Sequence, residues 1–269
     1  MTEPFQQVTE SSLALTKWEQ LIPGMKAGFT TRNGGISAAP FNTLNLGLHV
    51  LDHSENVIAN RRKLTEIVHV PLESWVSGEQ THQTNVHMVT NDDKGKGSTR
   101  YDTTLKQIDG LMTNQKGILC TAFFADCVPV YFADPKTGYI GIAHAGWKGT
   151  VHQIGRKMVE TLQSAGADPA DLLVAIGPSI SRDAYEVDER VVNHIPDEFF
   201  EKVVTPKGNN RFLLDLKELN AEILLQQGVL RHNIDITNYC TFRDEDLFFS
   251  HRRDQGKTGR MLGYIGYGK

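Results

Sequence analysis

Cysteine is scarce in this chain: Cys120, Cys127 and Cys240 are the whole set in 269 residues. An odd, sparse set argues against a disulfide framework and points to a reducing compartment, so a cytoplasmic location is expected. Paired Cys-x-x-Cys ligands do not occur, which removes the zinc-finger class. Positive charge is not in excess. The net charge is −4, so there is no basic footprint for nucleic acid. Long apolar runs are missing too. The most apolar segment, Ile118 to Ala133, is interrupted by Asp126 and Pro129 and is too short to span a bilayer, so no membrane partner is expected. The opening Met-Thr-Glu-Pro-Phe-Gln-Gln lacks a basic start followed by an apolar stretch, so no secretory signal is expected. Internal repeats, low-complexity tracts and long Pro- or Ser-rich linkers are also absent.

What remains is an ordinary globular composition, with 39% hydrophobic and 22% charged residues. A chain of this length can bury a sizeable core, in one large domain or two modest ones. Ser54 is placed to cap a helix running to about His69, striped by Val57, Ile58, Leu64, Ile67 and Val68 and followed by Pro71. Thr150 is placed to cap a second, with Val151, Ile154, Met158 and Leu162 at helical spacing and Gly166 as its terminator. Asp215 is placed to cap a third, with Leu216, Leu219 and Ile223 on one face. A weaker fourth runs from about Glu189 to Ile195. Strand-like runs cover Trp75 to Glu79, Asn85 to Thr90, Ile118 to Phe124, Val128 to Phe132, Tyr139 to His144, Leu172 to Ile176 and Met261 to Tyr267. Helices and strands are interspersed without a regular βαβ rhythm, and short turns join neighbouring strands. The expected class is α+β with mixed β-sheets and packed helices.

Chemistry concentrates at three polar breaks, each ending an apolar run. They are Gly-Glu-Gln-Thr-His-Gln-Thr (78–84), Ala-Asp-Cys-Val-Pro-Val (125–130) and Ala-His-Ala-Gly-Trp-Lys-Gly (143–149). His82, Cys127 and His144 offer one thiolate and two imidazoles, a set suited to zinc or copper. Three protein ligands leave a position open, as catalytic zinc sites do. The other eight histidines, His49 and His251 among them, read as surface or hydrogen-bonded residues. Cys120 reads as an inert core residue. Spacing alone leaves a second reading open, a Cys–His dyad with Cys127 as nucleophile and His144 as base. A structural metal site in a partner-binding module is a third.

These three segments resemble the signatures of the YlmD/YfiH family, which also carries the label of laccase-domain or polyphenol oxidase. The likeness extends to Thr30-Thr31-Arg32-Asn33-Gly34-Gly35, Leu44-Asn45-Leu46-Gly47, Asn60-Arg61-Arg62, Asp109-Gly110, Gly177-Pro178-Ser179-Ile180 and Tyr185-Glu186-Val187. It continues through Ser250-His251-Arg252-Arg253-Asp254 and Thr258-Gly259-Arg260. The Gly-Glu-Gln-Thr-His start favours the YlmD branch. The resemblance divides the chain into residues 1–26, an N-terminal extension with a first strand, and a single catalytic domain over 27–269. It implies zinc at His82, Cys127 and His144, with copper as the alternative. It also implies phosphorolysis of adenosine, inosine, guanosine and S-methyl-5′-thioadenosine, together with deamination of adenosine. Purine nucleoside and inorganic phosphate are the expected partners, and no protein partner is implied.

Deamination requires hydroxide at C6 of the purine, and zinc lowers the pKa of bound water to about 7. A carboxylate must then carry protons to the leaving ammonia, and Asp126 and Glu79 are the candidates. Phosphorolysis requires an anion site. Arg32, in a glycine-rich turn, is the first candidate, followed by Lys148 and Arg253. Trp147 is either a stacking surface for the purine or a core residue. Copper oxidase chemistry normally uses several coppers and histidines grouped in sequence, and the chain has no His-x-His pair.

Overall fold

The apolar run at 118–133 folds into two strands, Ile118–Phe124 and Val128–Ala133, buried along their whole length in the computed structural model, which describes residues 3–268. Successive side chains on a strand point to opposite faces. Ile118, Cys120, Ala122 and Phe124 therefore enter one core, while Leu119 and Phe123 enter another. In the same way Val128, Val130 and Phe132 face one side and Tyr131 and Ala133 the other. Both faces are apolar, which is why the run reads as continuous rather than alternating.

Each strand sits inside a six-stranded sheet. The first sheet is ordered Gln6–Thr9, Ser12–Ala14, Met25–Thr30, Met261–Tyr267, Ile118–Phe124, Trp75–Ser77. The second is ordered Ile234–Ile236, Leu173–Ile176, Val128–Ala133, Ile140–Ala145, Gly110–Thr113, Val86–Met88. Most neighbours are antiparallel, but Trp75–Ser77, Ile234–Ile236 and Val86–Met88 pair in parallel at the edges. Phe29, Phe124, Tyr131 and Ile142 meet between the two sheets. Helix Ser54–Val68 covers the far face of the first, with Leu64 and Val68 in the cluster of Leu119 and Phe123. Helices Ile154–Ser164 and Leu216–Gln226 cover the far face of the second, placing Met158, Leu162, Leu219 and Leu224 with Val130 and Phe132. Each such leucine contributes about 1.5–3 kcal/mol by leaving water. The fold is thus α+β with mixed sheets. A further three-stranded sheet, Glu186–Asp188, Arg211–Leu214 and Val204–Gly208, completes it.

Several helix ends differ from the sequence expectation. His53, not Ser54, precedes the first helix, and no side chain caps it. Thr150 lies inside a short helix, Trp147–Val151, and the longer helix starts after Gln153 in a left-handed conformation. The Thr150 hydroxyl is instead drawn into the core, where Asn220 donates to it at 3.1 Å. Asp215 does cap its helix, accepting from the Glu218 amide at 3.0 Å. The helix expected over 189–195 stops at Val192, and an unforeseen one, Asp197–Val203, follows Pro196. Near the start of the chain, Phe5, Leu13 and Trp18 lie in the core between the sheets. No described helix is long and apolar enough to cross a membrane.

Candidate metal centre

One end of the sandwich gathers the chemistry. His82 lies in the loop after Trp75–Ser77, Cys127 in the turn between Ile118–Phe124 and Val128–Ala133, and His144 near the end of Ile140–Ala145. Their ligand atoms all lie within 4.8 Å of one another. The His82 and His144 rings meet nearly edge-on, with centroids 4.8 Å apart. His144 is buried, Cys127 is half-buried and His82 is exposed, so the set opens toward solvent on one side.

A buried carboxylate organises this set. Asp109 Oδ1 lies 2.9 Å from His144 Nδ1 and accepts the His82 amide at 3.1 Å. Its Oδ2 accepts the amides of Thr81 at 3.1 Å and Gln83 at 2.9 Å. His82 has φ = 59°, a left-handed conformation that is strained for a residue with a side chain. Three amide bonds to one carboxylate hold it there. Burial raises the Asp109 pKa, but the bonds and charge of His144 and the amides of Gln83 and Thr81 outweigh it, so the carboxyl sits below its usual range. His82 is lowered to about 4 by desolvation and by the neighbouring His144 charge. His144 is opposed by burial, yet the Cys127 sulfur and the Asp109 carboxylate raise it to about 9.

The backbone makes room for the ligands at Gly146. A Cβ there would come within 2.6 Å of His82 Nδ1 and 3.0 Å of Cys127 Sγ, so a side chain would occupy the space between the donors. A thiolate, two imidazoles and a cradle left clear by glycine fit a zinc or copper ion, and a three-ligand set is the open kind.

A cavity of about 420 Å³ opens over the ligands. Its walls include Gln80, Phe123, Trp147, Tyr185, Arg252 and Arg260, together with His49, Tyr101 and His251. The Gln80 side chain bonds both ways with the Phe123 backbone, at 2.9 and 2.8 Å, and fixes one wall. His49 is exposed at the cavity wall. Desolvation, then the Arg260 and Arg61 guanidiniums, hold its pKa well below that of free histidine.

The sequence candidates scatter relative to this cavity. Asp126 lies on its wall, but its carboxylate accepts Thr241 Oγ1 at 2.7 Å, Ser250 Oγ at 3.0 Å and the Arg252 amide at 2.7 Å. Glu79 stands beside Gln80, accepts the Gln107 amide at 3.4 Å and lies 4.0 Å from Lys106. Arg32 stacks its guanidinium over Phe249 at 4.7 Å and donates to the Asn42 and Glu245 carbonyls. Arg253 is spent on the Thr241, Phe242 and Phe248 carbonyls and on Asp254. Lys148 lies over the Trp147 ring, 5.7 Å from its centroid. None of Arg32, Lys148 and Arg253 lines the cavity, whereas Arg252 and Arg260 do. Trp147 is a half-buried wall residue with its ring edge-on to His194. Sequence reasoning missed Asp109, whose only signal was its place in an Asp-Gly pair, and the wall residues His49, Tyr101, His251, Arg252 and Arg260. Cys120 and Cys240 are buried, and neither lines the cavity.

A two-sheet α+β sandwich with a His–Cys–His set at the foot of an open cavity defines a candidate metalloprotein, with one such set among the described residues. The family model described as multi-copper polyphenol oxidoreductase laccase matches residues 26–268. Purine nucleoside phosphorylase YlmD of Bacillus subtilis is 45% identical over 98% of this chain and 97% of its own. The protein of the same name from Geobacillus stearothermophilus is 44% identical over 90% of each chain. Among solved structures, Bacillus licheniformis hypothetical protein YfiH matches with a TM-score of 0.95 at 43% identity, covering 99% of this chain and all of that one. YlmD from Geobacillus stearothermophilus matches with a TM-score of 0.95 at 42% identity over the whole of both chains. The chain belongs to this laccase-described family, on its YlmD/YfiH side.

Proposed function

We propose that this protein is a zinc-dependent purine nucleoside phosphorylase, acting on adenosine, inosine, guanosine and S-methyl-5′-thioadenosine, that also deaminates adenosine in the cytoplasm. The observation that carries this reading is a single cavity that joins an open three-ligand set to aromatic and guanidinium walls. Its volume, about 420 Å³, is in the range of small-molecule sites. The names of the relatives support the phosphorylase assignment. His82, Cys127 and His144 would hold zinc, which when bound supplies Lewis acidity and lowers the pKa of water to about 7.

The chain's own residues do the rest. Phe123, Trp147 and Tyr185 offer ring faces for the purine. Arg252, which stacks on Tyr185 and donates to the Glu186 carbonyl, and Arg260, which donates to the Thr258 and Gly259 carbonyls, have no carboxylate partner among the described residues and line the cavity, where their charge suits phosphate. Arg32 and Arg253, candidates from sequence, are committed to carbonyls outside the cavity lining, and Lys148, also outside it, lies over the Trp147 ring. Asp126 already accepts three hydrogen bonds, which leaves Glu79, the neighbour of Gln80 in sequence, as the other carboxylate for proton transfer in deamination. Nucleoside and inorganic phosphate are the partners this reading requires.

The test is to incubate zinc-loaded protein with inosine and phosphate and to follow hypoxanthine and ribose 1-phosphate, then to follow inosine formation from adenosine. No product from the unaltered chain, or undiminished product after Cys127→Ala, would sink the reading. A thiol hydrolase is the second reading, favoured by the line Asp109–His144–Cys127, in which a carboxylate holds an imidazole beside a sulfur. Cys127 alkylation blocked by added zinc would count against it. A copper oxidase, the reading the family's description favours, is separated by metal content and dioxygen uptake on a phenol.

A further inference from the structure

We propose that His251 is the acid that protonates the departing purine, and that Asp126 is the residue that positions it. This rests on the phosphorylase reading. His251 lines the cavity and is exposed to it. Both of its chain neighbours are tied to one oxygen. Ser250 Oγ donates to Asp126 Oδ2 at 3.0 Å, and the Arg252 amide donates to the same atom at 2.7 Å. Thr241 Oγ1 donates to the other oxygen, Asp126 Oδ1, at 2.7 Å. A second carboxylate closes the loop, since Asp254 accepts Thr258 Oγ1 at 2.7 Å and the Ser250 amide at 3.4 Å. The His251 carbonyl accepts the Gly256 amide at 2.9 Å. Its imidazole makes no hydrogen bond to another described residue. The backbone of His251 is therefore fixed on both sides while its ring is left free at the cavity wall.

Asp126 directly precedes Cys127 in the turn between the two buried strands. One turn thus presents a metal-ligand sulfur and anchors the His251 loop, which keeps the two in fixed relation. The other wall groups suit proton delivery poorly. His49 faces the Arg260 and Arg61 guanidiniums, which disfavour an added proton. Burial pushes the Tyr185 hydroxyl up, and Asp126 is held in place by three donors. His82 and His144 belong to the ligand set. His251 is left as the wall imidazole outside the ligand set whose ring has no hydrogen-bond partner among the described residues, and imidazole is the side chain that most often serves as a general acid.

In the step, an oxygen of hydrogen phosphate forms a bond to C1′ of the ribose as the C1′–N9 bond breaks. The electron pair of that bond passes to the purine, and the proton on the His251 ring passes to N7. His251 regains a proton from the transferred phosphate, which leaves free purine and ribose 1-phosphate. No oxidant or further reactant is needed.

The experiment compares inosine with 7-methylinosine, whose methylated N7 carries the positive charge that protonation otherwise supplies, so its base leaves without an acid. His251→Ala is expected to lower kcat on inosine by about 100-fold or more while leaving kcat on 7-methylinosine close to that of the unaltered protein. Asp126→Asn is expected to show the same substrate selectivity in weaker form, and to add nothing in the His251→Ala background. Equal losses on both nucleosides, or an unchanged kcat on inosine, overturn the assignment. His251 is exposed, so its variant decides the matter even if Asp126→Asn does not fold. No turnover of either nucleoside by the unaltered protein overturns the phosphorylase reading itself, and this inference with it.

Discussion

Asp109 holds His144 by its Nδ1, at 2.9 Å from Oδ1, and through the same carboxylate holds the loop that carries His82. An ionised carboxylate can only accept, so Nδ1 is the protonated nitrogen and Nε2 is the one free to act as ligand. One side chain thereby sets the tautomer of one ligand and the backbone of another.

Replacing Asp109 should therefore weaken both contributions at once. Asp109→Ala is expected to reduce zinc affinity by about 10–100-fold, as loss of a carboxylate behind a ligating histidine does. Competition against a chromophoric chelator measures this. Affinity equal to that of the unaltered protein would show that the carboxylate is not needed to orient the ligands.

Gly146→Ala should block the centre sterically. The added methyl would sit within 2.6 Å of His82 Nδ1 and 3.0 Å of Cys127 Sγ. The expected outcome is loss of stoichiometric metal binding by a chain that keeps its native near-ultraviolet circular dichroism. Full metal occupancy in this variant would contradict the cradle.

The centre also predicts a pH dependence. In the metal-free protein the His144 pKa is raised to about 9, so its imidazolium stabilises the fold below about 6.5, and that contribution fades as pH rises through 9. His82, lowered to about 4, acts in the opposite sense, with stability present above about 6.5 and lost as pH falls through 4. Metal binding requires neutral imidazoles, so at pH 7 it must expel the His144 proton. Calorimetry in buffers of different ionisation enthalpy should register that release, and affinity should climb from pH 6 to 8. A flat profile is the contrary result.

Phosphate recognition separates the sequence candidate from the structural one. Arg260→Gln should raise the KM for phosphate by about 10–100-fold, corresponding to the roughly 1.5–3 kcal/mol of a charged hydrogen bond. Arg32→Gln should change it little, because Arg32 lies outside the cavity lining. Steady-state kinetics with phosphate as the varied substrate give the answer, and the reverse ranking would restore Arg32 as the anion ligand.

Arg61 supports the opposite wall. It is 1% exposed, stacks on Phe123 and donates to the Leu46, Gly97 and Ser98 carbonyls without a carboxylate partner. Arg61→Ala strands those carbonyls and leaves a cavity, with an expected loss of about 3–5 kcal/mol. At about 2–4 °C per kcal/mol for a chain of this size, thermal unfolding should move down by roughly 6–20 °C. A shift within 1–2 °C would mean that the wall closes up without it.

The strands with the longest apolar runs, Ile118–Phe124 and Met261–Tyr267, were legible to the residue, because burial on both faces leaves little but hydrophobic side chains. The Asp215 cap was legible because its effect is local. Thr150 misled, since a hydroxyl that suits a cap also suits a buried bond to Asn220, and only packing chooses between them. Arg252 and Arg253 are alike in sequence, and only packing puts Arg252 on the cavity wall while Arg253 ties down the loop.

The sequence by itself determined which atoms can bind a metal. The donor types of His82, Cys127 and His144, and their positions where apolar runs end, are properties of the chain. The tertiary structure alone decided what surrounds them. Asp109 reaches His144 across paired strands, Asp126 reaches Ser250 and Arg252 across more than a hundred residues, and Arg260 faces the cavity while Arg32 does not. Ligand identity is written in side-chain chemistry. Second partners and charge balance depend on distances between segments remote in sequence, and only the packed sheets set those distances.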